Sequence, residues 1–265
     1  INALEAPGEA SYGLFSYLGN DALIRNLNVS TSIGINSPSE DSLTNDQKTE
    51  YENNPSIIFV GGLSGVMNKS TLLDVNVSTN VGIDSAYATN IYAGGLFGSL
   101  ETGSGIDSIS DVVYEGTNSS WSIVSSKKDS IISAGLLSGI AKDSYIKEVY
   151  LVVTNQIVDL KNESITGSDS NSKLYLGNVF GTYVIGEKNI VIDDIMIMGN
   201  EKESLRAVAT NGDSVVGGLV GYVDYDEVLD KNGTLNLDKV YFRVLGGDNE
   251  YLASSVETSD VVNLY

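Results

Sequence analysis

One short glycine–leucine motif returns along the whole chain, and a chain built this way folds by stacking copies of a unit rather than around one centre. The motif is clearest at Gly94-Gly95-Leu96-Phe97-Gly98 and recurs at Gly13-Leu14-Phe15-Ser16, Gly62-Leu63-Ser64-Gly65, Gly135-Leu136-Leu137-Ser138, Asn178-Val179-Phe180-Gly181 and Gly218-Leu219-Val220-Gly221. Units start near 13, 62, 95, 135, 178 and 218, with steps of 33 to 49 residues. The firmest sign of duplication lies just downstream. Asn28-Val29-Ser30-Thr31-Ser32-Ile33-Gly34-Ile35-Asn36 returns as Asn76-Val77-Ser78-Thr79-Asn80-Val81-Gly82-Ile83-Asp84, identical at six of nine positions.

The intervening segments alternate apolar and polar residues, as Leu27 and Val29 do against Asn26, Asn28 and Ser30, which marks half-buried strands. No apolar stripe of helical period is sustained, so little helix is expected. Each unit offers about three short strands separated by Gly, Asn, Ser and Asp turns; Ile190 to Ile192 and Ile195 to Met198 read as two of them. The expected fold is all-β: a right-handed parallel β-helix of about six irregular coils, one β-solenoid domain over 1–265 with loops on one edge. Residues 1–12 read as a short lead-in. Stacked equivalents put Leu14, Leu63, Leu96, Leu136, Val179 and Leu219 in one internal ladder, and Leu27, Val75, Val149 and Val240 in a second. The glycines Gly13, Gly62, Gly95, Gly98, Gly135, Gly181, Gly218 and Gly221 then serve tight corners and close backbone approach.

Length differences fall mainly at one stage of the unit, in 37–56, 85–90, 125–130, 159–173 and 199–213. Insertions at one stage emerge on one edge, which makes that edge the expected place for a partner. The longest, 37–56, carries five acidic residues against Lys48; Gly167 to Ser172 in the fourth is wholly polar.

Composition limits the chemistry. With 15 basic and 35 acidic residues the net charge is −20, a field that repels phosphate backbones, so no nucleic-acid partner is expected. There is no Cys and no His, which rules out a disulfide, a thiolate nucleophile or an imidazole base from this chain. No stretch approaches the 18 or so consecutive apolar residues of a membrane span. The start at Ile1 reads as a mature or excised piece of a larger protein.

The motif slots (glycine, leucine, a hydrophobic residue, glycine) resemble the GLUG-motif repeat family. Gly95-Leu96-Phe97-Gly98 and Gly218-Leu219-Val220-Gly221 fit fully, and Tyr222 matches the tyrosine that often follows. Ser16 and Ser138 depart at the last slot, Ser64 at the hydrophobic slot, and Asn178-Val179 at the first two. The resemblance implies a bacterial cell-surface or secreted setting: a non-enzymatic stalk or adhesive module whose partners are neighbouring copies, flanking domains, host glycans or surface proteins.

Several side chains carry alternative chemistry. Asp193-Asp194 lacks the geometry of a carboxylate pair, because adjacent strand residues face opposite ways. Asp224, Asp226 and Asp230, with Glu227 nearby, form the candidate calcium cluster, although the spacing is not that of an EF-hand; no other cofactor is expected. Asp224 and Asp226 are also the carboxylates to test for a carbohydrate-cleaving alternative. Trp121 and some of the 15 tyrosines are candidate sugar platforms, with core packing the alternative. Six Asn-x-Ser/Thr sequons, at Asn28, Asn68, Asn76, Asn118, Asn162 and Asn232, permit glycosylation. No helix caps either end, which leaves an excised segment or end-to-end stacking into a fibre as explanations.

Overall fold

The computed structural model describes residues 1–19, 21–102, 109–164, 171–186, 189–199, 203–210, 212–225, 233–244 and 250–255. The chain repeats one circuit. It opens with β1 (Asn2–Leu4), β2 (Glu9–Tyr12), β3 (Phe15–Leu18) and β4 (Leu23–Asn36). After a 3-10 turn (Glu40–Ser42) and helix α1 (Asn45–Asn53), it runs through β5 (Ser56–Gly61), β6 (Ser64–Asn68) and β7 (Thr71–Ser85). From there the third strand comes in two pieces. The next circuits are β8 (Ala88–Gly94), β9 (Phe97–Glu101), β10 (Ile109–Thr117) and β11 (Ser120–Ser125), then β12 (Ile131–Gly135), β13 (Ser138–Lys142), β14 (Ile146–Thr154) and β15 (Gln156–Asn162). Two more follow: β16 (Ser172–Gly177), β17 (Phe180–Ile185), β18 (Asn189–Gly199) and β19 (Glu203–Ala209), and last β20 (Gly212–Gly217), β21 (Val220–Tyr225), β22 (Thr234–Val244) and β23 (Glu250–Ser255).

Equivalent strands pair in parallel and build three sheets. The fold is therefore all-β and β-helix-like. One six-stranded sheet runs β2-β5-β8-β12-β16-β20; the second runs β3-β6-β9-β13-β17-β21. The third, of 11 strands, stacks β1 on β4 and β4 on β7, and then forks. The first half of β7 pairs with β10, and its second half, from Val81, with β11. The duplicated nonapeptides sit in register, Asn28 on Asn76 through Asn36 on Asp84. Residues 1–12 belong to the stack, because β1 and β2 extend two of the sheets. Segment 199–213 contains β19, a strand of the forked sheet, where the sequence suggested a loop.

The fork corrects the expected three strands per unit to four from β8 onward, and it explains Trp121. Asn118 adopts a left-handed φ of 50° between β10 and β11, adding a bend that β7 lacks. The wider interior is filled by Tyr114 and Trp121, both fully buried and packed edge to face with centroids 6.3 Å apart. The Trp121 indole Nε1–H donates to the Thr79 carbonyl at 2.9 Å. Trp121 is a core wedge, not a sugar platform.

A second left-handed ladder corrects another expectation. Asn26, Asp74, Asp111, Glu148, Asp194 and Lys239 all have φ between 47° and 55°. Each breaks strand alternation, so that it and the residue before it both avoid the core while the next apolar residue turns inward. Asp193 and Asp194 consequently lie on the same side, between buried Ile192 and Ile195. Asn and Asp tolerate this backbone; Glu148 and Lys239 adopt it at a cost. Directly after the kink stand Leu27, Val75, Val112, Val149, Ile195 and Val240, the second predicted ladder extended by Val112 and Ile195.

The glycine motif forms the corner between the two six-stranded sheets. Gly61 stacks on Gly94, Gly94 on Gly135, Gly135 on Gly177 and Gly177 on Gly217. Across the corner, Ser64 stacks on Phe97, Phe97 on Ser138, Ser138 on Phe180 and Phe180 on Val220. Two residues lie between in every case. This shifts the fourth copy by one position: Leu136 occupies the slot of Gly62, Gly95, Asn178 and Gly218, and Leu137, not Leu136, joins the leucine ladder. The carbonyls of Leu96, Leu137, Val179 and Leu219 decide the point, each accepting two N–H groups from the preceding unit. Leu96 N and Phe97 N both donate to Leu137 O, at 3.3 and 3.0 Å, and Leu137 N and Ser138 N both donate to Val179 O, at 3.0 and 3.1 Å. In the corrected register the last slot is Gly139 rather than Ser138. Leu63, Leu96, Leu137 and Val179 are fully buried, each contributing about 1.5–3 kcal/mol by burial.

Candidate functional site

The sites suggested by sequence fall into three groups. The motif glycines stand where neighbouring atoms leave no room for a Cβ, except Gly218, where a Cβ meets nothing within 4 Å. A Cβ on Gly94 would lie 1.8 Å from Phe97 O, and one on Gly98 would lie 2.5 Å from Val60 N. Side chains at these positions are excluded because backbone from a neighbouring strand occupies the space.

Of the calcium candidates, only Asp224 lies among the described residues. Asp224 is the penultimate residue of β21, is exposed, and its Oδ1 accepts from the Tyr225 N–H at 2.8 Å. Asp226 and Asp230, with Glu227, lie outside the described residues. Among the described residues no three Asp or Glu side chains converge as metal ligands. Asp193 is engaged by Lys239 Nζ at 3.2 Å. The sequons divide as well. Asn118 is exposed at its bend, whereas Asn162 is 1 % exposed and its Nδ2 donates to Lys127 O and Ser130 Oγ. No helix among the described residues is long and apolar enough to cross a membrane.

The third group is the edge where the forked sheet hands over to β5, β8, β12 and their equivalents. There the connection 37–55 carries a helix that the sequence reading took for loop. Helix α1 is polar throughout and buries only Tyr51. Its start is fixed by a capping box: Thr44 Oγ1 accepts from Gln47 N at 3.3 Å, and Gln47 Oε1 accepts from Thr44 N at 2.9 Å. That Thr-x-x-Gln spacing was the signal available in the sequence. A nine-residue polar helix does not persist alone. Tyr51 holds it, stacking on Tyr87 with centroids 4.3 Å apart and donating its hydroxyl to Glu5 O at 2.7 Å. Glu5 is itself 3 % exposed, and its carboxylate accepts from Ser37 Oγ and from Ser85 Oγ. Burial, then the Glu5 charge, raises the Tyr51 hydroxyl pKa; burial, then Glu40 and Glu5, raises that of Tyr87.

The chain matches no family model, no curated protein and no solved structure in three comparisons.

Between α1 and the two corners beside it opens a cleft of about 400 Å³, lined by Pro38, Glu40, Lys48, Tyr51, Glu52, Ala86, Tyr87 and Lys127. Three successive units contribute to it: residues 38–52, the β7–β8 corner at Ala86 and Tyr87, and the β11–β12 corner at Lys127. Lys48 Nζ lies 3.4 Å from Glu40 Oε1, an exposed pair of little energetic weight. The Tyr87 hydroxyl, the Glu52 carboxylate and the Lys127 ammonium have no hydrogen-bond or ion-pair partner among the described residues. The cleft thus combines ring surface, donors and acceptors.

A second aromatic feature follows the glycine corner, where Phe59 stacks on Tyr92 at 5.2 Å and Tyr175 on Tyr222 at 4.6 Å. Burial, helped by Tyr222, Asp213 and Asp224, pushes the Tyr175 hydroxyl up to about 12. Between these pairs Ser133 Oγ bonds Thr182 Oγ1 at 2.8 Å and donates to Gly139 O. The Tyr92 hydroxyl accepts from Asn90 Nδ2 at 2.9 Å, so part of the seam's polar surface is paired within the seam.

Proposed function

We propose that this chain is a non-enzymatic, extracellular or cell-surface module, a right-handed β-solenoid of about six irregular coils used as a stalk or adhesive scaffold. The observation that carries the reading is the parallel, in-register stacking of equivalent strands in all three sheets. Such a stack lengthens by adding units without a new core, and it displays its variable connections along one edge. The likeness of the glycine corner to GLUG repeats supports the surface setting, and the acidic surface suits a soluble exposed rod.

The ends favour contact with neighbouring copies or flanking domains. Leu14, an inner-ladder residue, is 48 % exposed where its equivalent Leu63 is fully buried. At the other end Val223 is 44 % exposed although it stacks on fully buried Tyr183. Contact of another coil or domain with these rungs would remove their apolar surface from water.

Carbohydrate binding is the second reading, favoured by the cleft beside α1; cleavage has no comparable support in the geometry. Light scattering and negative-stain microscopy across a concentration series, with a glycan and host-protein array, test the scaffold reading. Rods or filaments together with array binding support it. Depolymerisation of a polysaccharide panel, lost in Asp224→Ala, overturns it in favour of an enzyme.

A further inference from the structure

We propose that the cleft between helix α1 and the Tyr87 and Lys127 corners binds the neutral pyranose ring of a glycan. The proposal gives the adhesive reading a ligand class and rests on it.

Charge balance singles out the ligand. In a chain of net charge −20 this cleft is lined by two carboxylates, Glu40 and Glu52, and two ammonium groups, Lys48 and Lys127. An anionic ligand meets the two carboxylates and a cationic one the two lysines. A neutral polyol uses all four, because each hydroxyl donates to a carboxylate and accepts from an ammonium. The ring surface comes from the Tyr51–Tyr87 stack. Tyr51 is 6 % exposed with its hydroxyl committed to Glu5, so it works as the backing of the platform, whereas Tyr87 is partly exposed and its hydroxyl is unspent. An apolar ring face against an aromatic, with hydroxyls directed to flanking charged groups, is the chemistry of a pyranose. The volume of about 400 Å³ falls in the range of small-ligand pockets and accommodates one or two sugar rings.

The arrangement also explains why α1 is present. The helix has a polar surface, buries one side chain and adds no strand, yet it is fixed by a capping box and by a buried tyrosine hydrogen bond. Its effect is to wall one side of the cleft and to bring Lys48 and Glu52 to Tyr87.

The test is calorimetry and saturation-transfer NMR on the chain with methyl glucoside, galactoside and mannoside, alongside glucuronate and a glutamate-rich peptide. The expected result is saturable binding of at least one methyl glycoside, with a dissociation constant on the order of 1 mM. Lys127→Met and Tyr87→Phe, which preserve packing, are expected to weaken it by roughly fivefold or more each, with unchanged circular dichroism and melting. Absence of saturation by every methyl glycoside overturns the proposal, as does binding unaffected by both substitutions. Preference for glucuronate or for the peptide overturns the neutral-pyranose assignment. These outcomes leave the scaffold reading standing, since that reading is decided by rod formation and array binding.

Discussion

Two corners of the same circuit behave in opposite ways. At the glycine corner, two residues always separate the stacked strands from β5–β6 onward, and a Cβ added at Gly61, Gly94, Gly135, Gly177 or Gly217 meets backbone. At the corner after the forked sheet, only Ala86 and Tyr87 link β7 to β8, whereas residues 37–55 link β4 to β5 and include a helix. Both corners belong to every unit, so pairing alone does not explain the contrast. The first corner folds two sheets close together, and its carbonyls are committed to two N–H donors from the unit before it. The second turns away from the core, so added chain runs over the outside of the stack and is held there by the one buried side chain, Tyr51. A unit of this kind therefore has one place where its sequence is dictated and another where it is free. Binding features accumulate at the free one.

The largest effect that tests this contrast is at Gly94. Gly94→Ala places a methyl group 1.8 Å from Phe97 O, which belongs to the corner itself and is not able to swing aside. Urea unfolding followed by circular dichroism is expected to show a loss of more than about 4 kcal/mol, or no folded protein. A loss below about 1 kcal/mol removes the argument that this corner is dictated by backbone contact.

Next comes the register of the fourth copy. Leu137→Asn puts an amide into the leucine ladder and is expected to cost about 4 kcal/mol. Leu136→Asn fills a slot that Asn178 occupies in the following unit, where its Nδ2 donates to Gly218 O at 3.1 Å. It is expected to cost about half as much. Equal losses, or the reverse order, restore the alignment that starts from Gly135-Leu136.

That misalignment shows where sequence and structure part company. The repeat itself, the parallel all-β class and the pairing of Asn28–Asn36 with Asn76–Asp84 were legible, because each depends on alternation and recurrence, whereas the expected edge of loops took β19, within 199–213, for a connection. Gly135-Leu136-Leu137-Ser138-Gly139 offers two leucines, and only the pairing of carbonyls with the units above and below selects the second. The kinks at Asp74, Asp111 and Asp194 were hidden because one left-handed residue leaves an apolar pattern that reads as two strands. The fork was hidden in a similar way: the left-handed bend at Asn118 leaves Thr117 and Asn118 both exposed, and in the sequence such a bend is not distinguishable from the kink at Asp111. Helix α1 escaped notice since its one buried residue, Tyr51, gives no apolar stripe.

Removing 40–53 and closing the connection with a short polar turn tests the free corner. The deletion loses the Tyr51–Tyr87 stack and the hydrogen bond to Glu5 O, and it shortens a loop. A net loss of about 1–2 kcal/mol is expected, with the strand signal in circular dichroism unchanged. Collapse of the strand signal contradicts the view that this edge is an attachment to a finished stack.

The smallest effect is the most discriminating about glycine itself. Gly82 lies in β7, stacked on Gly34 and Ser122, and a Cβ there meets nothing within 4 Å. Its φ is not in the left-handed region, so alanine takes up the backbone without strain. Gly82→Ala should be neutral or stabilising by about 0.5 kcal/mol, because the unfolded chain loses more freedom than the folded one. A thermal melt of Gly82→Ala beside Gly94→Ala compares two strand glycines in consecutive units, one with open space and one with backbone opposite the missing side chain. If both variants lose stability alike, glycine is required for strand flexibility throughout the stack. If only Gly94→Ala does, the requirement is local, set by the carbonyl that the corner brings within reach.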